Sequence, residues 1–122
     1  MSAVRVDEAF ADALRRYAFT FASEAELQAS ISAALSAEGI PFEREVILSP
    51  GDRIDFLLSG GVGLEIKAAG AISLVASQLI RYAASDRVSA LILVTTRQVH
   101  RCLPPTLHDK PLQVLVLHGG LQ

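Results

Sequence analysis

The chain has 122 residues, 51% of them hydrophobic, and a formal net charge of −2, enough for one domain (1–122) with its own core. A pI near 5.9 excludes a broadly basic, histone-like grip on nucleic acid but leaves room for a local basic cleft, because charge acts over short range in salt. No apolar run reaches the roughly 18 residues of a membrane span, the first residues lack the layout of a signal peptide, and the lone Cys102 fits a reducing cytoplasm.

In chain order, residues 4–19 have helical spacing, with Val6, Phe10, Ala13, Leu14 and Tyr17 on one face. Arg15 and Arg16 fall near its end, where cations complement the helix dipole, a reading that outweighs a phosphate contact. Residues 1–22 form an N-terminal helical addition. A second helix starts at Ser23-Glu24-Ala25-Glu26, which fits a capping box. Its buried stripe is Leu27, Ile31, Ala34 and Leu35, and Gly39 with Pro41 ends it. The cap accounts for Glu26. Glu24 lies on the stripe face, either as a first-turn partner of the dipole or as a carboxylate aimed at the sheet, and the pattern favours neither.

Residues 42–48 read as a strand, Ser49-Pro50-Gly51-Asp52 as a turn, and residues 53–58 as a second strand. Ser59-Gly60-Gly61 turns into a third strand, residues 62–67. Two short turns in succession make an antiparallel meander. Gly60-Gly61-Val62-Gly63 leads into a strand and lacks dinucleotide and phosphate-loop spacing, so it is a hairpin turn. Residues 71–84 form a helix, with Gln78 and Tyr82 one turn apart. Residues 89–95 are continuously apolar, as in a strand buried on both faces. Strand, helix and strand over 62–95 fit a right-handed parallel crossover, so the sheet is mixed. Residues 96–111, with Pro104, Pro105 and Pro111, read as loop with a short helical turn. His100, Cys102 and His108 lie there, but no common zinc spacing matches and no fourth ligand is evident. Residues 112–117 form a last strand, and the chain frays from Gly119.

The third strand carries the chemistry. Glu65 and Lys67 share one face of an otherwise apolar strand, and Asp55 sits between Ile54 and Phe56 in strand phase on the neighbour. One reading is a half-buried salt bridge. Two carboxylates on one ammonium, however, leave surplus negative charge at a low-dielectric site unless a cation compensates. The other reading, which we favour, is a divalent-metal site. Asp55 and Glu65 are hard oxygen donors suited to Mg²⁺ or Mn²⁺, with the Ile66 backbone carbonyl as a further ligand. Lys67 would orient or deprotonate a water, or stabilise charge at phosphorus.

In this order the chain resembles the PD-(D/E)xK, or restriction-endonuclease-like, nuclease superfamily. Asp55 and Glu65-Ile66-Lys67 match the signature, with Ile54 in place of its proline. Glu24, with Glu26 as the alternative, matches the helical carboxylate of many members. Gln78-Leu79-Ile80-Arg81-Tyr82 resembles the Q-x-x-x-Y element of RecB-like nucleases. The resemblance covers about residues 23–95. It implies an α/β (α+β) fold with an αβββαβ core, a mixed sheet of four or five strands flanked by helices, and phosphodiester hydrolysis, most simply of DNA, with RNA open. It further implies catalytic roles for Glu24, Gln78 and Tyr82, with Glu24 as an added metal ligand, and phosphate contacts at Arg81 and Arg53. So short a chain would take its specificity from a second copy or a partner protein. The competing hypothesis is a non-catalytic module that keeps the fold to bind nucleic acid or protein.

Overall fold

The computed structural model describes residue 14 and residues 23–117. Helix α1 (Glu24–Ala37) begins where the capping pattern places it: the Ser23 hydroxyl accepts the Glu26 N–H at 3.1 Å. It ends in a Schellman motif, with Gly39 at φ 71, its N–H donating to Ser36 O, and the Ile40 N–H donating to Leu35 O. Leu27, Ile31, Ala34 and Leu35 are its buried residues, the expected stripe.

Strands β1 (Phe42–Ser49), β2 (Asp52–Leu58) and β3 (Val62–Lys67) form the antiparallel meander. Helix α2 (Ile72–Ala83) then crosses over to β4 (Ala90–Thr95), which pairs with β3 in parallel. A 3₁₀ helix (Gln98–Cys102) leads to β5 (Thr106–Leu107) and β6 (Lys110–Val116), and β6 lies parallel to β4. The result is an α+β molecule with one mixed sheet in the order β1-β2-β3-β4-β6-β5.

The sheet therefore has six strands, not four or five. The extra one, β5, pairs with β6 through a turn at His108 and Asp109, both at positive φ (53 and 63). That is the backbone of a two-residue hairpin, whose usual Asn-Gly signature the sequence lacks. Strand β6 also starts at Lys110, inside the stretch expected as loop. The helix expected over 4–19, with Arg15 and Arg16, and the fraying end lie outside the described residues, apart from Leu14. Among the described residues no helix is long and apolar enough to cross a membrane.

Both faces of the sheet are covered. Leu64, Ile66, Phe56 and Leu58 pack with Leu14 and the α1 stripe. Ile54, Leu57, Leu91 and Leu93 pack with Val75, Leu79 and Tyr82 of α2. Ile54 and Phe56 thus face opposite cores, although residues two apart in a regular strand share a face. The strand turns over at Asp55, so the expected regular phase there is incorrect. Its neighbour does the same: Glu45, opposite Asp55 between the pairs Arg44↔Phe56 and Val46↔Ile54, stands at φ 54. A non-glycine residue in that region stores backbone strain of order 1 kcal/mol.

Candidate active site

The pairing of β2 with β3 runs from Leu58↔Val62 to Phe56↔Leu64 and stops one step short of Asp55 and Glu65. Side chains continue it. The Asp55 N–H donates to Glu65 Oε1 at 3.1 Å, and the Ile66 N–H donates to Asp55 Oδ2 at 2.8 Å. The two carboxylates are bound to one another's strands reciprocally. At the end of β3, the Ala68 N–H donates to Glu24 Oε1 at 3.1 Å, bringing the start of α1 to the same place. Glu24 is half-buried there, whereas Glu26 is exposed. Each of the three carboxylates uses one oxygen on a backbone donor. No backbone N–H among the described residues donates to Asp55 Oδ1 or Glu24 Oε2.

Glu65 is 3% exposed. Burial, and next the charge of Asp55, push its carboxyl up to about 8. Burial likewise raises Asp55, with the charge of Glu24 adding to it, against the lowering effect of the Ile66 N–H. Lys67 Nζ stands 3.5 Å from Glu65 Oε2, a single ammonium against this cluster. Tyr82 closes the site from below. Its hydroxyl donates to the Arg53 carbonyl at 2.8 Å and lies 3.4 Å from Glu65 Oε2. Burial, and then the Glu65 charge, raise the Tyr82 phenol. A phenol has one proton, shared between the shorter contact to Arg53 and the longer one to Glu65 Oε2.

Lys67, Gly70, Leu74, Gln78 and Arg81 line a cleft of about 360 Å³ beside this cluster. Arg81 Nε donates to Asp52 Oδ1 at 2.9 Å, and that bond, with a second from Ser49, holds the Asp52 carboxyl below its ordinary range. Arg53 is exposed and pairs loosely with Glu45 at 3.8 Å. The structure thus brings Glu24, Asp55, Glu65, Lys67 and Tyr82 together, with Gln78 and Arg81 across a cleft. Tyr82 is fully buried, so it positions Glu65 and Arg53 and does not reach a ligand. Arg53 joins the site through its carbonyl.

The sequence places His100 in a loop and does not reveal its role as a buried anchor. His100 is fully buried, with Nε2 3.0 Å from Gly70 O and Nδ1 2.6 Å from Thr95 Oγ1. A carbonyl only accepts, so Nε2 carries the proton. Thr95 Oγ1 accepts the Arg97 N–H at 3.1 Å and donates its own proton to Nδ1. Both ring nitrogens are thus engaged within the protein, and Cys102 is exposed. No feature of local spacing marks His100, because its partners are 5 and 30 residues away.

The donor set can be tested against a divalent cation. No group of three His, Cys, Asp or Glu side chains among the described residues forms a preassembled cluster. The carboxylates are turned onto backbone N–H groups, with Asp55 Oδ1 and Glu24 Oε2 left over. Hard oxygens at a buried site with too few cations fit Mg²⁺ or Mn²⁺ by chemistry. Comparison with family models, with curated proteins and with solved structures gives no match.

Proposed function

We propose that this protein is a divalent-metal-dependent nuclease that hydrolyses phosphodiester bonds, DNA being the first substrate to test. The observation that carries the reading is the pair Asp55 and Glu65: one half-buried and one buried carboxylate, cross-bonded at the point where β2 and β3 part, with Lys67 as their one ammonium. A purely structural salt bridge needs one carboxylate. A second, with its carboxyl also raised, costs stability that a cation would return. The order α1, β1 to β3, α2, β4 supports a restriction-endonuclease-like core.

In this reading Asp55, Glu65 and the Ile66 carbonyl, with Glu24 beside them, hold Mg²⁺ or Mn²⁺. Such an ion, when bound, neutralises phosphoryl charge and acidifies water. Lys67, at the half-exposed end of β3 and lining the cleft, holds the attacking water or the charge developing on phosphorus. Gln78 and Arg81, on the far side, position the phosphate. Tyr82 fixes Glu65 from below.

The test is incubation with single-stranded, duplex and branched DNA, and with RNA, in Mg²⁺ or Mn²⁺, against Asp55→Ala shown to be folded. Cleavage by the unmutated chain alone supports the reading. One observation favours a second reading, a non-catalytic binding module: each carboxylate already has a structural duty on a backbone N–H. That reading takes over if no substrate is cut and Mn²⁺ fails to raise the melting temperature.

A further inference from the structure

The segment after β4 is bound directly to the site. The Thr96 N–H donates to Lys67 O at 3.3 Å and the Thr96 hydroxyl to Ala68 O at 3.2 Å. His100 Nε2 donates to Gly70 O at 3.0 Å, and Arg97 Nη1 approaches the same carbonyl at 3.5 Å. Residues 96–100 therefore run along the backbone that leaves Lys67, with the buried His100 as anchor. Gly70 lines the cleft that holds Lys67, Gln78 and Arg81, so Arg97 stands at the rim of that cleft.

Among the described residues, Arg53, Lys67, Arg81 and Arg87 each have a carboxylate partner. Arg44 has none but lies over the Phe56 ring and donates to Gln28. Arg97 and Arg101 have neither a carboxylate nor an aromatic ring among the described residues. Arg101 bonds only Gln98, at 2.9 Å, and both arginines are exposed. Residues 96–117 hold three cations (Arg97, Arg101 and Lys110) against one carboxylate, Asp109, in a chain of net charge −2. An exposed guanidinium without a carboxylate, fixed beside a candidate phosphodiester site, has the fork geometry that suits a phosphate.

We propose that Arg97, with Arg101 behind it, binds a backbone phosphate next to the scissile one, and that the 3₁₀ segment is a phosphate-binding arm held in place by His100. The occupant is the sugar-phosphate backbone of a nucleic acid strand running past Gly70. The inference rests on the nuclease reading for its substrate class. Base recognition is no part of it, since phosphate contacts fix position and carry no sequence information.

Fluorescence anisotropy with a labelled oligodeoxythymidylate, in EDTA, tests the arm without any cleavage. Arg97→Ala should weaken binding several-fold and lower the slope of log affinity against log salt by about 0.7, the loss of one single-strand phosphate contact. Arg97→Glu should weaken it further, and Arg97→Lys should retain most of it. Arg87→Ala, at an arginine paired with Glu43, should bind as the unmutated chain does. Equal affinity and equal salt slope in Arg97→Ala and Arg97→Glu would overturn the proposal. So would a loss of the same size in Arg87→Ala, which would reduce the effect to net charge. Cleavage is read separately: a chain that cuts nothing but loses oligonucleotide binding on Arg97→Ala fails as a nuclease and keeps the arm.

Discussion

Replacing Glu65 by Gln should make the metal-free protein more stable at neutral and alkaline pH. The Glu65 carboxyl stands at about 8 in the folded chain against an ordinary 4.5. Its sign is opposite to that of a paired surface carboxylate. The folded state holds a proton that the unfolded chain releases, so the contribution is fully present below about pH 4.5 and is lost as pH rises toward 8. At about 1.4 kcal/mol per pH unit the ceiling is roughly 5 kcal/mol, and because Glu65 titrates with Asp55 that ceiling belongs to the pair. Asp55, also raised, adds in the same direction. Gln keeps the acceptor for the Asp55 N–H and cannot ionise, so this pH dependence should disappear with it. The assay is urea denaturation in EDTA at several pH values from 5 to 8. The unmutated chain should lose stability steadily over that range, and Glu65→Gln should lose much less and exceed it at pH 8. A flat profile for the unmutated chain, or a variant less stable at pH 8, would refute the buried charge surplus.

Three further outcomes follow from local geometry. A Cβ on Gly63 would lie 2.6 Å from Ile54 Cδ1 and 3.0 Å from Leu91 Cδ2. Gly63→Ala should therefore cost about 1–3 kcal/mol by denaturant unfolding, whereas an unchanged midpoint would mean that Ile54 swings away freely. Glu45 holds φ 54 and makes only an exposed ion pair, so Glu45→Gly should stabilise by up to about 1 kcal/mol; a loss would show that the side chain matters. Tyr82→Phe leaves the Arg53 carbonyl without its donor and should cost about 1–3 kcal/mol. It should also slow any cleavage through Glu65 while leaving oligonucleotide affinity in EDTA unchanged.

The fold was legible where one element's own sequence determined it. Ser23 and Gly39 bracket α1, the apolar run of β4 marks a strand covered on both faces, and short turns forced the meander. The two departures came from backbone conformations without a side-chain signature: His108-Asp109 turning a hairpin, and the turnover at Glu45 and Asp55. The spacing of Asp55, Glu65 and Lys67 pointed to one site, and the structure brings them together, but the means differ. Asp55 reaches Glu65 because β2 turns over and leaves its ladder, which alternation cannot express. Glu24 was undecided by pattern and is resolved by one bond to Ala68, which is 44 residues away. His100 and Arg97 depend wholly on where β4 ends relative to β3, information that resides in the sheet register.

The central claim meets its most direct test in DNA cleavage by the unmutated chain and by Asp55→Asn, a near-isosteric change that removes one charge, in the same Mn²⁺ buffer. The account predicts metal-dependent cleavage that falls by at least about 100-fold in the variant, the scale of losing a group that acts at the reacting phosphate, while the variant remains folded. Cleavage that persists at the same rate in folded Asp55→Asn, or in EDTA, would contradict it.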